Sequence, residues 1–390
     1  MPQLLALEGN EATSHAMRQV NPDVVAAYPI TPQTEVVQKF SEFVHNGEVA
    51  TEFVPVESEH SAMSACIGAA AAGARVMTAT CANGLALMWE MVYIAASLRL
   101  PVVMSVVNRA LSGNINIHCD HADSMGCRDA GWIQLYAEDA QEAYDNLIQA
   151  VRIAEACRLP VMNCYDGFFI SHSVEGVQLE DDEAVKQFVG EYEPAYSLLD
   201  VDNPITVGPL DLQDFYFEHK RSEWEAYAPV PQHIADVGRQ FGEAFGREYG
   251  LLDPFLMEDA DLALVALGST AGTAKDIADQ LRRDGRKAGV LKVRAFRPFP
   301  GEAIVEALAD RKAVAVLDRC ASFGAPFGPL YTEITSALYR AGAQVPVAGY
   351  IYGLGGREIR PEHLVQVYDD LDEVAAAGAP AEVRFLGVRE

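Results

Sequence analysis

The stretch Asp23–Pro32 reads DVVAAYPITP. Its first half, DVVAA, is a short apolar run of the kind that forms a buried strand. Pro29 and Pro32 then end the strand, since each fixes its own φ and disfavours helix in the residue before it. Thr31 therefore lies on a stiffened loop just past a strand end, where open α/β sheets bind ligands. The stretch indicates a pre-organised site for an unidentified ligand, with a rigid turn that binds nothing as the alternative.

Strand and helix patterns alternate along the first 175 residues. Apolar runs predict strands at 23–28, 50–55, 74–80, 101–107 and 160–165. Helical spacing predicts helices between them, at 33–45, 60–72, 84–98 and 139–157. Such alternation is typical of a doubly wound parallel sheet. The sequence therefore predicts an α/β fold.

The chain changes character after residue 175. Residues 176–255 are rich in Asp, Glu, Pro and aromatic residues, and they predict a long surface connection that ends in a helix near 232–248. A second α/β unit follows, with strands at 260–267, 287–293, 313–317 and 346–352 and helices at 271–283 and 329–341. We therefore divide the chain into residues 1–175, 176–255 and 256–390.

Composition limits the class of protein. The 390 residues are 50% hydrophobic and 22% charged, as in ordinary globular proteins. The formal net charge of −27 argues against nucleic acid and anionic membrane surfaces as partners. The sequence has neither a transmembrane run nor a signal-peptide pattern, so a cytoplasmic location is expected. Its seven cysteines include no C-x-x-C pair, so we expect no zinc site, disulfide framework or iron–sulfur cluster in this chain.

Three motifs follow one another in the first 125 residues: YPITP at 28–32, ESEHSA at 57–62 and DHAD at 120–123. Together they resemble the α subunit of the 2-oxoacid:ferredoxin oxidoreductases, and of the pyruvate:ferredoxin oxidoreductases in particular. The resemblance extends from about residue 5 to residue 370. It implies a thiamine-diphosphate-binding (pyrimidine-type) doubly wound parallel sheet followed by a transketolase C-terminal-like α/β domain.

Glu59 follows a predicted strand and opens an alanine-rich helix. A thiamine enzyme needs a shielded carboxylate that hydrogen-bonds the aminopyrimidine ring of its cofactor. An acid in the first turn of a helix is also stabilised by the helix dipole, which explains Glu59 or Glu57 without any catalytic role. The resemblance implies that Glu59 is the cofactor-activating glutamate and that Pro29 also belongs to the cofactor site.

Arg109 follows directly on the apolar run at 101–107. An arginine at the end of a buried strand can donate two parallel N–H groups to a carboxylate, although a structural salt bridge is the alternative. The resemblance implies that Arg109 and Thr31 hold the carboxylate and the carbonyl group of a 2-oxoacid.

Two further patterns favour other ligands. His118 and His121, with their neighbouring aspartates, have a spacing that zinc sites use, but no second cluster completes the site and the resemblance implies no metal there. The turn GSTAG at 268–272 is similar to a phosphate-binding loop, yet it matches neither G-x-G-x-x-G nor a Walker A motif. The alternative functions are a nicotinamide-dependent dehydrogenase built on the second α/β unit, whose missing fingerprint argues against it, and a non-catalytic scaffold subunit that retains the fold.

The chain lacks a complete diphosphate-binding motif, because Tyr165-Asp166-Gly167 misses the first glycine of Gly-Asp-Gly. The resemblance implies that thiamine diphosphate is shared with a β subunit that carries Mg²⁺. It also implies γ and δ ferredoxin-like subunits, or fusions of them, with [4Fe–4S] clusters, and ferredoxin or a similar electron carrier. The expected reaction is CoA-dependent oxidative decarboxylation of pyruvate to acyl-CoA and CO₂. The alternative substrates are 2-oxoglutarate, branched-chain 2-oxoacids and aryl 2-oxoacids such as phenylglyoxylate.

Overall fold

The computed structural model describes residues 2–379 and 382–389. Its strands are β1 Gln3–Glu8, β2 Val24–Ala27, β3 Glu52–Pro55, β4 Val76–Thr80, β5 Val102–Asn108, β6 Ile133–Tyr136, β7 Val161–Asp166, β8 Val174–Leu179, β9 Leu252–Phe255, β10 Leu262–Ala266, β11 Ala288–Val293, β12 Ala295–Arg297, β13 Ala313–Asp318, β14 Val347–Tyr352 and β15 Arg384–Leu386. Its helices are α1 Gly9–Val20, α2 Thr34–His45, α3 Glu59–Ala71, α4 Ala82–Leu87, α5 Trp89–Ser97, α6 Ala122–Gly126, α7 Ala140–Cys157, α8 Asp182–Val189, α9 Tyr216–Glu225, α10 Val230–Phe245, α11 Thr270–Arg283, α12 Gly301–Leu308, α13 Pro329–Arg340 and α14 Pro361–Ala377. Among these helices of the described residues, none has the length and apolarity that crossing a bilayer requires.

The first sheet has seven strands in the order β12-β6-β7-β5-β4-β2-β3. All its pairings are parallel except that of β12 with β6. The central strand β5 reads VVMSVVN and is buried along its whole length, because helices cover both faces of a parallel sheet. The predicted α/β class and the predicted parallel sheet are confirmed.

The second sheet has six strands in the order β15-β14-β13-β10-β11-β9. Strand β9 pairs antiparallel with β11 at one edge, and the other pairings are parallel. A two-stranded antiparallel ribbon of β1 and β8 stands apart from both sheets.

The two large sheets are joined through β12. This strand follows β11 of the second sheet in sequence, yet it pairs with β6 of the first. Tyr136 on β6 packs edge-on against Phe296 on β12, with ring centroids 6.3 Å apart. Buried side chains from both sheets form one continuous core cluster. The division at residues 175 and 255 stays a prediction, and β12 shows that the third region also completes the first sheet.

Two local predictions differ from the structure. The single helix predicted over 84–98 is wrong, because the structure has two helices there, α4 and α5. They are separated at Met88, whose side chain is fully buried and whose backbone is not helical (φ −89°, ψ 15°). Residues 176–255 are more ordered than a surface connection, since they contain α8 and α9 as well as α10. Strand β8 begins just before this region and pairs with β1, about 170 residues earlier. Such distant pairing leaves no local signal in the sequence.

Candidate cofactor and substrate site

The predicted site residues lie at one edge of the first sheet. Strands β5, β4, β2 and β3 are neighbours in that order and run parallel. Thr31 follows the end of β2, Glu59 follows β3, and Arg109 follows β5. Their loops therefore emerge at the carboxyl ends of adjacent strands, the edge where doubly wound sheets bind ligands.

Glu59 is the first residue of α3. Ser58 caps this helix, since its side chain accepts a hydrogen bond from the Ser61 N–H at 3.2 Å. The side chain of Glu59 is only 6% exposed. Glu57, two residues earlier, is solvated and bonds the Ser61 hydroxyl. Of these two glutamates, Glu59 is the one in the shielded setting.

The carboxylate of Glu59 lies directly over the backbone of Gly84, near the start of α4. A Cβ atom at Gly84 would come within 2.6 Å of Glu59 Oε1 and within 2.5 Å of Thr80 Oγ1. The hydroxyl of Thr80 is fully buried and has no hydrogen-bond partner among the described residues. A carboxylate accepts hydrogen bonds and a hydroxyl group both donates and accepts them, so these two side chains offer groups to which an aminopyrimidine ring can bond. These residues fit the pyrimidine half of thiamine diphosphate.

Replacing Gly84 by alanine should displace the Glu59 carboxylate, because the added methyl group and the carboxylate need the same space. We expect at least a tenfold loss of kcat in the multi-subunit enzyme that the resemblance implies. The matched control is Gly68→Ala, since a Cβ at this α3 glycine meets no atom within 4 Å. Equal activity of the Gly84→Ala variant and the control would show that the position of the Glu59 carboxylate over Gly84 does not affect kcat.

Arg109 and Thr31 are in direct contact. Arg109 Nη1 donates to the Thr31 carbonyl oxygen at 2.8 Å, and Nε donates to the Asn116 carbonyl oxygen at 2.9 Å. These bonds fix the guanidinium plane, and the group is only 6% exposed. Thr31 and Pro29 are exposed in the preceding loop. The structure therefore brings Thr31 and Arg109 together as predicted, while their roles stay predictions.

Asp123 is a functional candidate that sequence reasoning missed. It lies in the DHAD motif and is 3% exposed. Its Oδ2 accepts hydrogen bonds from the backbone N–H groups of Arg109 and Ala82, each at 2.9 Å. Its Oδ1 accepts from Asn108 Nδ2 at 2.8 Å. Burial raises the pKa of Asp123 to about 6, although these donors lower it. The carboxylate therefore ties the loops after β4 and β5 together and sets the position of Arg109.

Replacing Asp123 by asparagine should raise several-fold the KM for the 2-oxoacid substrate that the resemblance implies. Both oxygens of the Asp123 carboxylate accept hydrogen bonds from N–H groups, and in asparagine one of these oxygens is replaced by an NH₂ group, which cannot accept. Some of these hydrogen bonds are therefore lost, and the loop that carries Arg109 is held less firmly. In the unmodified enzyme, KM should rise as the pH falls through about 6, because the pKa of Asp123 is about 6 and a protonated carboxyl holds these donors less well. In the variant, KM should be high at every pH and should not rise further as the pH falls through about 6. If the same rise in KM persists in the variant, Asp123 is not the group that causes it.

Asp166, His121 and Arg319 form a buried network between the two sheets. Asp166 accepts from His121 Nε2 and from Arg319 Nη1, both at 2.7 Å. Ser269 Oγ also donates to it at 2.6 Å. Burial opposes ionisation of Asp166, but Arg319 and His121 outweigh it and hold the pKa of this carboxyl well below its ordinary value.

This network explains the GSTAG turn that precedes α11. A Cβ at Gly268 would lie 2.8 Å from Asp166 Oδ1, so the turn approaches the carboxylate as closely as a glycine backbone allows. The turn binds a carboxylate of its own chain rather than a phosphate. Cys119, His121 and Asp166 lie close enough together to hold a metal ion. However, both carboxylate oxygens of Asp166 already accept hydrogen bonds, from His121 and Arg319, which argues against a metal here.

Two family models match the chain. Residues 15–239 match the family described as pyruvate flavodoxin/ferredoxin oxidoreductase, thiamine diphosphate-binding. Residues 260–364 match the pyruvate:ferredoxin oxidoreductase core domain II. The chain belongs to the pyruvate:ferredoxin oxidoreductase family. The family predicted from the three motifs is confirmed.

Curated relatives of this family match almost the whole chain. A pyruvate synthase subunit PorA of Thermotoga maritima is 58% identical, over 99% of this chain and 98% of that protein. PorA of Methanocaldococcus jannaschii is 48% identical, over 96% of each chain. A ketoisovalerate oxidoreductase subunit VorA of Pyrococcus abyssi is 45% identical, over 95% of this chain and 94% of that protein. This member of the family is a 2-oxoacid:ferredoxin oxidoreductase subunit of the pyruvate synthase type.

Solved structures show the same fold. One is the 2-oxoglutarate:ferredoxin oxidoreductase of Magnetococcus marinus, with 2-oxoglutarate, coenzyme A and succinyl-CoA bound. Its TM-score is 0.73 at 20% identity, and the match covers 94% of this chain and 65% of that one. A split-gene transketolase, an inactive β4 tetramer, gives a TM-score of 0.51 at 15% identity over 95% of this chain and 97% of that one. Both are similar in fold alone.

Proposed function

We propose that this family member is the α subunit of a multi-subunit enzyme that decarboxylates pyruvate oxidatively. The products are acetyl-CoA and CO₂, and two electrons pass to ferredoxin or a similar carrier. The observation that carries the proposal is the arrangement of the shielded Glu59 carboxylate and the fixed Arg109 guanidinium at one sheet edge. The PorA relatives favour pyruvate, while the VorA relative makes a branched-chain 2-oxoacid the second candidate substrate.

Each site residue has a proposed task. Thiamine diphosphate, when bound, supplies the nucleophilic carbon and the electron sink for decarboxylation. Glu59 would hold the aminopyrimidine ring of the bound cofactor by a hydrogen bond and so assist removal of its C2 proton. Arg109 binds the substrate carboxylate, and Thr31 orients the substrate carbonyl. Pro29 shapes the loop that borders the cofactor.

The remaining groups are proposed to come from partner subunits. A β subunit completes the thiamine diphosphate site and holds its Mg²⁺, since this chain lacks a complete Gly-Asp-Gly motif. Iron–sulfur clusters belong to ferredoxin-like γ and δ subunits or fusions, because this chain has no C-x-x-C pair of the kind that ferredoxin-type clusters use. Coenzyme A is the co-substrate, and the complex acts in the cytoplasm.

The test is an anaerobic assay of the complex copurified from its native host. CoA-dependent viologen reduction is measured with pyruvate, 2-oxoglutarate, 2-oxoisovalerate and phenylglyoxylate in parallel. We expect the highest kcat/KM with pyruvate. A higher value with 2-oxoisovalerate would replace the substrate but keep the chemistry. No turnover of any acid, by a complex shown to contain thiamine diphosphate and iron, would overturn the proposal.

A further inference from the structure

The side chain of Arg109 is held by a loop. Residues 110–118, here called the 110–118 loop, follow it directly, and the Asn116 carbonyl oxygen accepts the hydrogen bond from Arg109 Nε at 2.9 Å. Residues 111–115 are all exposed, so this part of the loop has little contact with the core. The orientation of the Arg109 guanidinium therefore depends in part on what fixes Asn116.

Asn116 is fixed by a turn of the second sheet. Its Nδ2 donates to the Gly355 carbonyl oxygen at 3.0 Å, although the two residues are 239 positions apart in the sequence. Its Oδ1 accepts from the His118 N–H at 2.7 Å. Gly355 belongs to the sequence GLGG at 353–356, here called the GLGG turn, which follows directly on β14. The amide of Asn116 thus joins the 110–118 loop to the second sheet.

The backbone of the GLGG turn also binds the residues that follow the loop. Gly356 N–H donates to the Cys119 carbonyl oxygen at 2.6 Å. Gly355 N–H donates to Asp120 Oδ2 at 3.2 Å. Gly353, Gly355 and Gly356 have φ values of 65°, 61° and 79°, which glycine adopts without strain. This left-handed backbone lets the turn approach the loop closely.

The contact between the turn and the loop leaves no room for a side chain. A Cβ at Gly355 would overlap Asn116 Nδ2, and a Cβ at Gly356 would overlap His118 Cβ. Because Nδ2 is the end of a side chain, it can move away from a methyl group at position 355 at little cost to the fold. Its hydrogen bond to the Gly355 carbonyl oxygen would then break. A methyl group at position 355 therefore removes this one contact selectively.

We propose that Asn116 is a positioning residue for the 2-oxoacid, and that the GLGG turn acts through it to fix Arg109. The inference rests on the proposed function, since it takes Arg109 as the group that binds the substrate carboxylate. Paired hydrogen bonds from a guanidinium to a carboxylate require one orientation of the guanidinium plane. Without the bond to Gly355, Asn116 holds this plane less firmly, so substrate binding weakens while Glu59 is unaffected.

The test uses the assembled complex and the 2-oxoacid that gives it the highest kcat/KM. Gly355→Ala and Asn116→Ala should each raise the KM for this acid about three- to tenfold, as expected for one lost hydrogen bond. They should keep kcat within about twofold and leave the KM for CoA unchanged, which a general defect of folding would not. Both substitutions remove the same contact, so the double variant should raise KM no more than the larger single effect.

Two control variants match these changes. Gly378, which follows α14, has φ 64° and ψ 21°, close to the 61° and 31° of Gly355, but a Cβ there meets no atom within 4 Å. Gly378→Ala therefore carries the same backbone cost as Gly355→Ala, and the two should lower the thermal unfolding midpoint equally. Asn114 is an exposed asparagine of the same loop, so Asn114→Ala is the control for Asn116→Ala. Both controls should keep the KM of the unmodified complex.

Equal KM values in the variants and their controls would overturn the proposal and leave the proposed function standing. So would a loss confined to kcat, or single effects on KM that multiply in the double variant, since independent sites behave in that way. Failure of the proposed function appears separately, as an unmodified complex that contains thiamine diphosphate and iron but turns over no 2-oxoacid. That result would overturn this inference as well.

Discussion

Replacing Glu59 by glutamine should lower kcat of the assembled complex by about 100-fold or more, the range in which a positioned proton-transfer group acts. Glutamine keeps the size of the side chain over Gly84 but removes the negative charge that would hold the aminopyrimidine N–H. Steady-state viologen reduction with saturating pyruvate measures the loss, and thiamine diphosphate content is determined on the same samples.

The matched control is Glu57→Gln, two residues away on the solvated side of the α3 N-terminus. It should keep kcat within about twofold, since surface substitutions of this kind change little. If both variants lose activity equally, the effect belongs to the N-terminus of α3 rather than to the Glu59 carboxylate. If neither does, Glu59 is not the activating group.

Replacing Asp166 by asparagine should destabilise the chain by about 3–5 kcal/mol, because it leaves the Arg319 guanidinium buried without its counter-ion. Denaturant midpoints at pH 7 measure the effect. The exposed pair of Lys312 with Asp261 supplies the control, and Lys312→Met should cost less than about 1 kcal/mol. Equal losses of unfolding free energy in the two variants would show that the buried ion pair contributes no more to stability than the exposed one.

The pH dependence of this second effect follows from the lowered pKa of Asp166. A carboxyl whose pKa is lower in the folded than in the unfolded state stabilises the fold above its unfolded pKa, and this contribution is lost as the pH falls through the folded pKa. The difference between the unmodified chain and Asp166→Asn should therefore be largest near neutral pH and shrink in strong acid. If the difference in unfolding free energy between the two proteins grows on acidification, the pKa of Asp166 is not lowered in the folded chain.

Sequence reasoning reached the parts of the fold that long local signals encode. The run VVMSVVN predicted a buried strand and placed Arg109 at its end, since a continuous apolar run has few other uses in an α/β chain. Helix α14 was missed although Leu364, Val367, Leu371 and Val374 are buried at helical spacing. That signal was present in the sequence. Strands of three residues, such as β12, gave none, because only pairing with a distant strand defines them.

The candidate site divides in the same way. Strand ends, motifs and the family resemblance led to Thr31, Glu59 and Arg109 as candidates, and their roles stay predictions. Asp123 was missed because its partners are backbone N–H groups, which a sequence does not display. The GSTAG turn was read as a weak phosphate loop, whereas its neighbour is the carboxylate of Asp166, about 100 residues earlier. The sequence shows which side chains carry charge, but it does not show which of them the backbone of a distant turn will bind.

The strand exchange at β12 also decides which parts of the enzyme can move. Because β12 is hydrogen-bonded to β6 and directly follows β11, the two large sheets cannot hinge apart without breaking main-chain hydrogen bonds. If the two sheets do not separate, access to the candidate site must change through motion of whatever covers that edge of the first sheet. Amide hydrogen exchange at β12 and β6 should accordingly be as slow as in the centre of the sheet, with or without substrate.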